Sequence, residues 1–456
     1  MRGLARTLRR GSAGALKRIG VAAMVAGLPA VLAAQNPRTN PPAPRAPEPS
    51  PREDSIVAAM DSLTERLEKA EAALERLQHQ LEEQAQAKVD TRSRNHLEIS
   101  GLILINGFYS DTKTNNSDVP TFVLQPVPGD TLLPNPAHSA AEVRQSRLGL
   151  SLTGQHALGA DLSADLQLDF YGGQQPSSGG RIFPLLRIRT AAVRLDWPHL
   201  GLLVGQETQI ISPLNPVSFA SVGIPGFTNA GNLWFWVPQI RLTYETGASP
   251  RVGIQAAALA PMLGSPQTPF LTTADSAERS KRPMVQGRVY LGWGDGETES
   301  QLGFGVHRGW VSTPADTLLL SQAFTADARL ALGEHVLLLG EGFWSAQAIA
   351  GLGGGAIGQE FGVNGVPVKS RGGWGQLNLR PSFTWELGGG FGIDDPDETQ
   401  LPAATGRGRN IVYEGHVHVR PGGGLILGVE YRHIATLYSS GELTANHVNG
   451  FMGVAF

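Results

Sequence analysis

From His96 to the end of the chain, apolar and polar residues alternate one by one in stretches of ten to fourteen, and this period of two dictates extended strands. Sixteen such stretches can be counted. They run roughly over 97–110, 145–156, 158–171, 185–197, 200–211, 236–246, 250–260, 283–294, 298–311, 320–333, 335–348, 371–380, 382–393, 407–420, 424–438 and 443–456. Seven of the connections are very short, from His156-Ala157 to Arg420–Gly424. They alternate with eight that are mostly longer, at 111–144, 172–184, 212–235, 261–282, 312–319, 349–370, 394–406 and 439–442. A soluble sandwich has no reason to sort its loops to one end. An antiparallel membrane barrel does, because short turns lie on one side of the bilayer and long loops on the other. The expected fold is therefore all-β, a 16-stranded antiparallel transmembrane barrel over residues 97–456.

The faces of the strands agree with this. Over 158–171, Ala160, Leu162, Ala164, Leu166, Leu168 and Phe170 oppose Asp161, Ser163, Asp165, Gln167, Asp169 and Tyr171. Over 407–420, Ile411, Tyr413, Val417 and Val419 oppose Asn410, Glu414, His416, His418 and Arg420. One face must meet lipid and the other a watery lumen, since Arg or Lys on the lipid face at mid-membrane costs roughly 2–4 kcal/mol. Trp197, Tyr244, Trp293 and Trp385 fall near short turns, where an interfacial aromatic girdle belongs. The last strand ends on Phe456, in parity with Val448, Met452 and Val454, with Phe451 as the exception to its alternation. Closure would place it beside the first strand, at the rim that faces the periplasm.

The residues before the barrel have a different character. Residues 1–34 carry a basic stretch (Arg2, Arg6, Arg9, Arg10, Lys17, Arg18), an apolar run from Ile19 to Leu32 and small residues after it, the parts of a secretory signal. Seven prolines between residues 35 and 54 read as an extended linker. Ile56, Met60, Leu63, Leu67, Ala70, Leu74, Leu77 and Leu81 then form a heptad seam within a helix spanning 55–92. So narrow a stripe suits self-association in a coiled coil. The chain has no cysteine, which suits passage through an oxidising periplasm. The destination implied is a bacterial outer membrane.

Function then depends on the lumen, which sixteen strands make wide enough for an aqueous channel. The loop Ser212–Phe235 is apolar, rich in Gly and Pro and nearly uncharged, so it is expected to fold inward as a constriction. The barrel segment has 19 Arg against 3 Lys, and Arg presents a planar fork that fits carboxylates and phosphates. Arg147, Arg241 and Arg288 are on lumen parity. Arg187 and Arg189 share a face two residues apart, which requires a bulge to keep Ala191 and Val193 on the lipid side. Asp161, Asp165 and Asp169 form a ladder on the neighbouring strand, and a cluster of arginines facing carboxylates across a pore would set up a transverse field for anionic or dipolar solutes. The barrel segment carries 22 basic against 29 acidic residues, which argues against nucleic acid as a partner. His416-x-His418 places two imidazoles on one lumen face, but no third metal ligand is evident nearby. No nucleophile or metalloprotease motif occurs, so neither an enzyme nor a cofactor is expected.

Several runs together resemble the DcaP-type trimeric porins of bacterial outer membranes. They are SRLGL (146–150), LDFYGG (168–173), LRIRTAAVRL (186–195), LLVGQETQ (202–209) and WVPQIRLTYE (236–245), with VEYRH (429–433) and Phe456 further on. The resemblance implies a homotrimer associated through its helices and a channel for small anionic solutes such as dicarboxylates. It also carries lumen roles onto Arg147, Arg187 and Arg189. The Pro-rich tether and the long first loop depart from the family's simplest form. The leading expectation is a passive porin among outer-membrane lipids. The alternatives are an envelope tether reaching peptidoglycan through its coil, or an outer-membrane barrel enzyme such as a lipase.

Overall fold

The computed structural model describes residues 96–126, 136–172, 184–247, 249–263 and 274–456. The expected signal, linker and coiled coil lie outside them. The strands are β1 (His96–Ser110), β2 (His138–Glu142), β3 (Arg147–Ala157), β4 (Ala160–Gly172), β5 (Leu185–Asp196), β6 (Leu200–Thr208), β7 (Trp236–Glu245), β8 (Arg251–Leu259) and β9 (Met284–Trp293). They continue with β10 (Ser300–Ser312), β11 (Leu318–Leu332), β12 (Val336–Gln347), β13 (Lys369–Leu379), β14 (Trp385–Pro396), β15 (Arg407–Gly422), β16 (Leu425–Tyr438) and β17 (Gly441–Ala455). From β3 onward each pairs antiparallel with the next, and β17 pairs with β1 in the register Leu102↔Ala455 to close the sheet. Among the described residues no strand edge is left over, which is what lets a sheet sit in hydrocarbon.

Seventeen segments make sixteen staves, because β2 and β3 share one. Asn106–Ser110 of β1 pair with β2, and His96–Leu102 pair with β3. The first loop, expected over 111–144, therefore ends in five residues of strand. At the break, Ser146 Oγ accepts the Leu104 amide (2.9 Å) and donates to the Leu104 carbonyl (3.2 Å), bridging the missing ladder. Alternation could not show this, because the out-of-phase residues Arg144 and Gln145 both turn inward and are buried.

The outer surface is an apolar band. Ile240, Leu242 and Tyr244 of β7, Val285, Val289 and Leu291 of β9, and Leu302, Phe304 and Val306 of β10 are all exposed. No described helix is long and apolar enough to cross a membrane. In a closed barrel with an apolar outer band the strands are the spanning elements. Phe456 lies on this surface, 58% exposed, and its backbone exchanges hydrogen bonds with Gly101 of β1 (2.9 and 3.1 Å). Phe451, the exception in the alternation, points inward and packs on Phe219 (5.3 Å between ring centroids) and His418 (5.4 Å).

Candidate functional site

The interior is organised by the segment between β6 and β7. Gln209–Phe235 leaves the wall and crosses to its far side, seated on inward residues of β1 and β12–β16. Ile210, Ile211, Leu233 and Phe235 pack with Leu259, Met284, Phe343 and Ile349. Phe227 and Ala230 pack with Leu337, Leu339, Trp374, Val412 and Ile434. Phe227 stacks on Trp374 at 5.6 Å and 17°. Its ring fits because β14 offers only glycines beneath it: a Cβ on Gly390 or Gly392 would stand 2.7 Å from a Phe227 ring atom. Phe227 and Asn229 adopt left-handed backbone, at φ 57° and 61°. That costs on the order of 1–2 kcal/mol each, against roughly 2–3 kcal/mol gained by burying the Phe227 ring.

Polar anchors fix the rest of the loop. Glu341 of β12 accepts hydrogen bonds from Ser212 Oγ and from the Leu214 amide (2.7 Å). Gln376 of β13 brackets Val217, accepting its amide (2.7 Å) and donating to its carbonyl (3.0 Å). Glu430 of β16 accepts from Ser218 Oγ (2.5 Å), Phe219 N (2.6 Å) and Ala220 N (3.2 Å). Gln145 accepts the Gly223 amide (2.7 Å), and Arg432 donates to Ser221 Oγ (2.5 Å) and to Glu414 (2.7 Å). The described residues 111–126 of the first loop reach inside as well. The Pro120 carbonyl accepts from Arg432 (2.9 Å), and Val123 N donates to Thr436 (3.0 Å). Asp118 in that loop meets Arg144 and the Tyr171 hydroxyl (3.0 Å). Burial alone would raise its pKa, but hydrogen bonds from Glu142, Arg144 and Tyr171 hold it below the usual carboxylate value.

The arginines singled out in the sequence fall into two groups. Arg147, Arg187 and Arg189 gather on the β3–β5 wall around Asp169, which is fully buried. Arg147 is opposite Asp169 in the ladder, Arg187 donates to it from Nη2 and Nε (2.7 and 3.0 Å), and Arg189 reaches it at 3.0 Å. The register jumps between Gln167↔Thr190 and Leu168↔Ile188, so Arg189 is the bulged residue that the alternation required. Gln206 caps the displaced carbonyls of Ile188 (3.2 Å) and Arg189 (2.9 Å). The two arginines also grip the crossing loop: Arg187 donates to the Gly223 carbonyl (2.6 Å) and Arg189 to the Val222 carbonyl (2.5 Å). Arg189 is sealed, at 2% exposure, while Arg187 keeps 28% of its side chain open.

The other arginines serve the wall. Arg288 of β9 is 3% exposed and forks onto Asp327 of β11 (2.6 and 2.9 Å), although β10 lies between them. It reaches over Gly303, where a Cβ would stand 2.2 Å from the Asp327 carboxylate. Arg241 donates to the Thr208 carbonyl and to Gln239 (3.1 Å).

The aspartate ladder does not face these arginines across the lumen. It lies on the adjacent stave, Asp169 directly opposite Arg187 in the register. Asp165 is 36% exposed and reaches Ser151 (2.8 Å) and Arg194 (3.7 Å), while Asp161, near the short-turn rim, contacts His156 (2.7 Å). Arg187 and Arg189 share the Asp169 carboxylate on β3–β5, with Arg147 paired opposite it, and on the other side of the barrel Glu341 and Glu430 bind the loop's amides and hydroxyls. Those anchors, with Gln145 and Gln376, were missed in the sequence. For Glu341, Gln376 and Glu430 the only signal was an inward acid or amide at mid-strand, and Gln145 lies in the break between β2 and β3.

A closed sixteen-stave barrel with an apolar exterior and an inward-folded third loop is the fold of bacterial outer-membrane channels. No known family's sequence model matches the chain, and no curated protein matches it by sequence. Among solved structures, it is similar to the outer membrane channel DcaP of Acinetobacter baumannii (TM-score 0.59, 16% identity, covering 79% of this chain and 97% of that one). It is also similar to an anion-selective porin from Comamonas acidovorans (TM-score 0.52, 12% identity, covering 79% and 100%). At such identities the likeness is one of fold.

Proposed function

We propose that the protein is a passive channel for small hydrophilic anions, with loop 212–235 narrowing the lumen and the β3–β5 arginines lining the narrow part. The observation that carries this reading is the arrangement at Asp169. Arg187 and Arg189 both bind that carboxylate and Arg147 stands across the ladder from it, so guanidinium groups outnumber acids around Asp169, and Arg187 remains partly open. Fixed positive charge in a low-dielectric constriction raises the local concentration of anions. The two solved channels named above support the reading by their fold, and one of them is described as anion-selective. The heptad seam supports self-association through the helix over 55–92, and the family resemblance implies that the assembly is a homotrimer. The protein reconstituted into planar bilayers under a KCl gradient tests the proposal. Conductance in triplet steps with a reversal potential on the chloride side is expected. A folded barrel that conducts nothing would leave the tether reading in its place.

A further inference from the structure

We propose that the lumen wall holds a site for a first-row divalent metal ion such as Zn²⁺, built from His416, His418 and Glu386. The sequence offered only the two histidines. The β14–β15 register adds the carboxylate, setting Glu386 opposite His418 and Gly388 opposite His416. One ligand atom from each of the three lies within 4.8 Å of the others, and all three residues are buried.

The geometry assigns an atom to each role. His418 Nδ1 lies 3.2 Å from Glu386 Oε1, and ligand atoms about 2.0–2.1 Å from a tetrahedral zinc are roughly 3.3 Å apart. His416 Nε2 lies 3.8 Å from the same oxygen, and its side chain is 3% exposed. That nitrogen has no hydrogen-bond partner, a costly state for a buried polar atom unless a ligand completes it. The ring is held there, stacked on His418 at 4.1 Å and 12° and covering Gly388, where a Cβ would stand 2.2 Å from it.

The surroundings are those of a second coordination shell. With Nδ1 given to the metal, His418 directs Nε2 at Glu430 Oε1 (3.0 Å), the carboxylate–histidine–metal arrangement that fixes the tautomer. Arg380 donates to the far oxygen of Glu386 (2.6 Å), and Arg420 contacts both oxygens at 3.4 Å. Two carboxylates and two guanidiniums cancel, so the ion's charge is uncompensated and affinity should be modest. Three protein ligands leave a fourth position for water or a passing anion, which places a cationic centre beside Phe219 of the crossing loop (5.0 Å from the His418 ring).

Calorimetric titration of the folded full-length protein with Zn²⁺, and visible absorption with Co²⁺, test the site. One ion per chain and the intense d–d bands of tetrahedral Co²⁺ are expected. His416→Ala should weaken binding at least tenfold, with heat-modifiable migration on gels confirming the fold. Arg420→Gln should tighten it, a gain that misfolding cannot imitate. Absence of saturable binding up to millimolar Zn²⁺, or binding unchanged in folded His416→Ala, would overturn the assignment.

Discussion

Replacing Glu430 by alanine removes the anchor on which the middle of the crossing loop depends. Its carboxylate accepts the amides of Phe219 (2.6 Å) and Ala220 (3.2 Å) as well as Ser218 Oγ (2.5 Å). Without it, two backbone donors remain in a dry interior, at about 1–3 kcal/mol each. The pinned loop then loses roughly 2–6 kcal/mol relative to a released one whose amides reach water. At tenfold per ~1.4 kcal/mol, the released population rises by a factor of roughly 30 to 10⁴. Glu341, Gln376, Arg432 and the β5 arginines still hold the two ends, so the release is confined to residues 218–220. Single-channel recording should show larger conductance and more open-state noise. Glu430→Gln keeps one acceptor oxygen and should fall between parent and Ala. Folded Glu430→Ala with parental conductance and noise would refute the view that this residue holds the constriction in place.

Three further outcomes follow from named contacts. Arg187→Ala removes a partly open guanidinium of the Asp169 cluster and should reduce anion preference in reversal-potential measurements; an unchanged potential would take it out of the filter. Gly231→Ala puts a Cβ 2.3 Å from the Gly373 carbonyl at φ +99°, so the loop tip should lift from Trp374, read as a change in tryptophan emission. Glu360, in the loop before β13, is raised to about 7 by burial while it accepts the Gly351 amide (3.3 Å). Its proton is kept by the folded state and lost by the unfolded state between about pH 4.5 and 7, so stability falls as pH rises through that window. The ceiling is ~3 kcal/mol, less because the side chain is only partly buried. Glu360→Gln should flatten the slope in thermal melts, and an identical pH profile would contradict the assignment.

The fold was legible because its determinants are local. Alternation gave the staves, loop lengths gave the sidedness, and the parity of Phe456 gave its place on the outer face beside β1. Even the bulge at Arg189 could be anticipated, because two arginines and two apolar residues cannot otherwise keep their faces. What stayed hidden depends on register between strands separated by loops. The Arg288–Asp327 pair needs a glycine on the intervening stave, and Glu386 meets His418 only through a pairing that a ten-residue loop, Asp397–Gly406, does not determine. The break between β2 and β3 was masked for another reason, since Arg144 and Gln145 face inward together and interrupt the period. The loop's destination was readable from its composition. Its anchors were not, because an inward Glu at mid-strand looks the same whether it binds a solute or a backbone amide.

Anion passage through this barrel depends on a loop-narrowed lumen whose fixed charge favours anions. Zero-current potential across a bilayer holding the purified protein, measured with KCl at unequal concentrations on the two sides, addresses that claim directly. A potential displaced toward the chloride equilibrium value, and reduced in Arg187→Ala, is the predicted result. A potential displaced toward potassium, or the absence of any channel from folded protein, would contradict it.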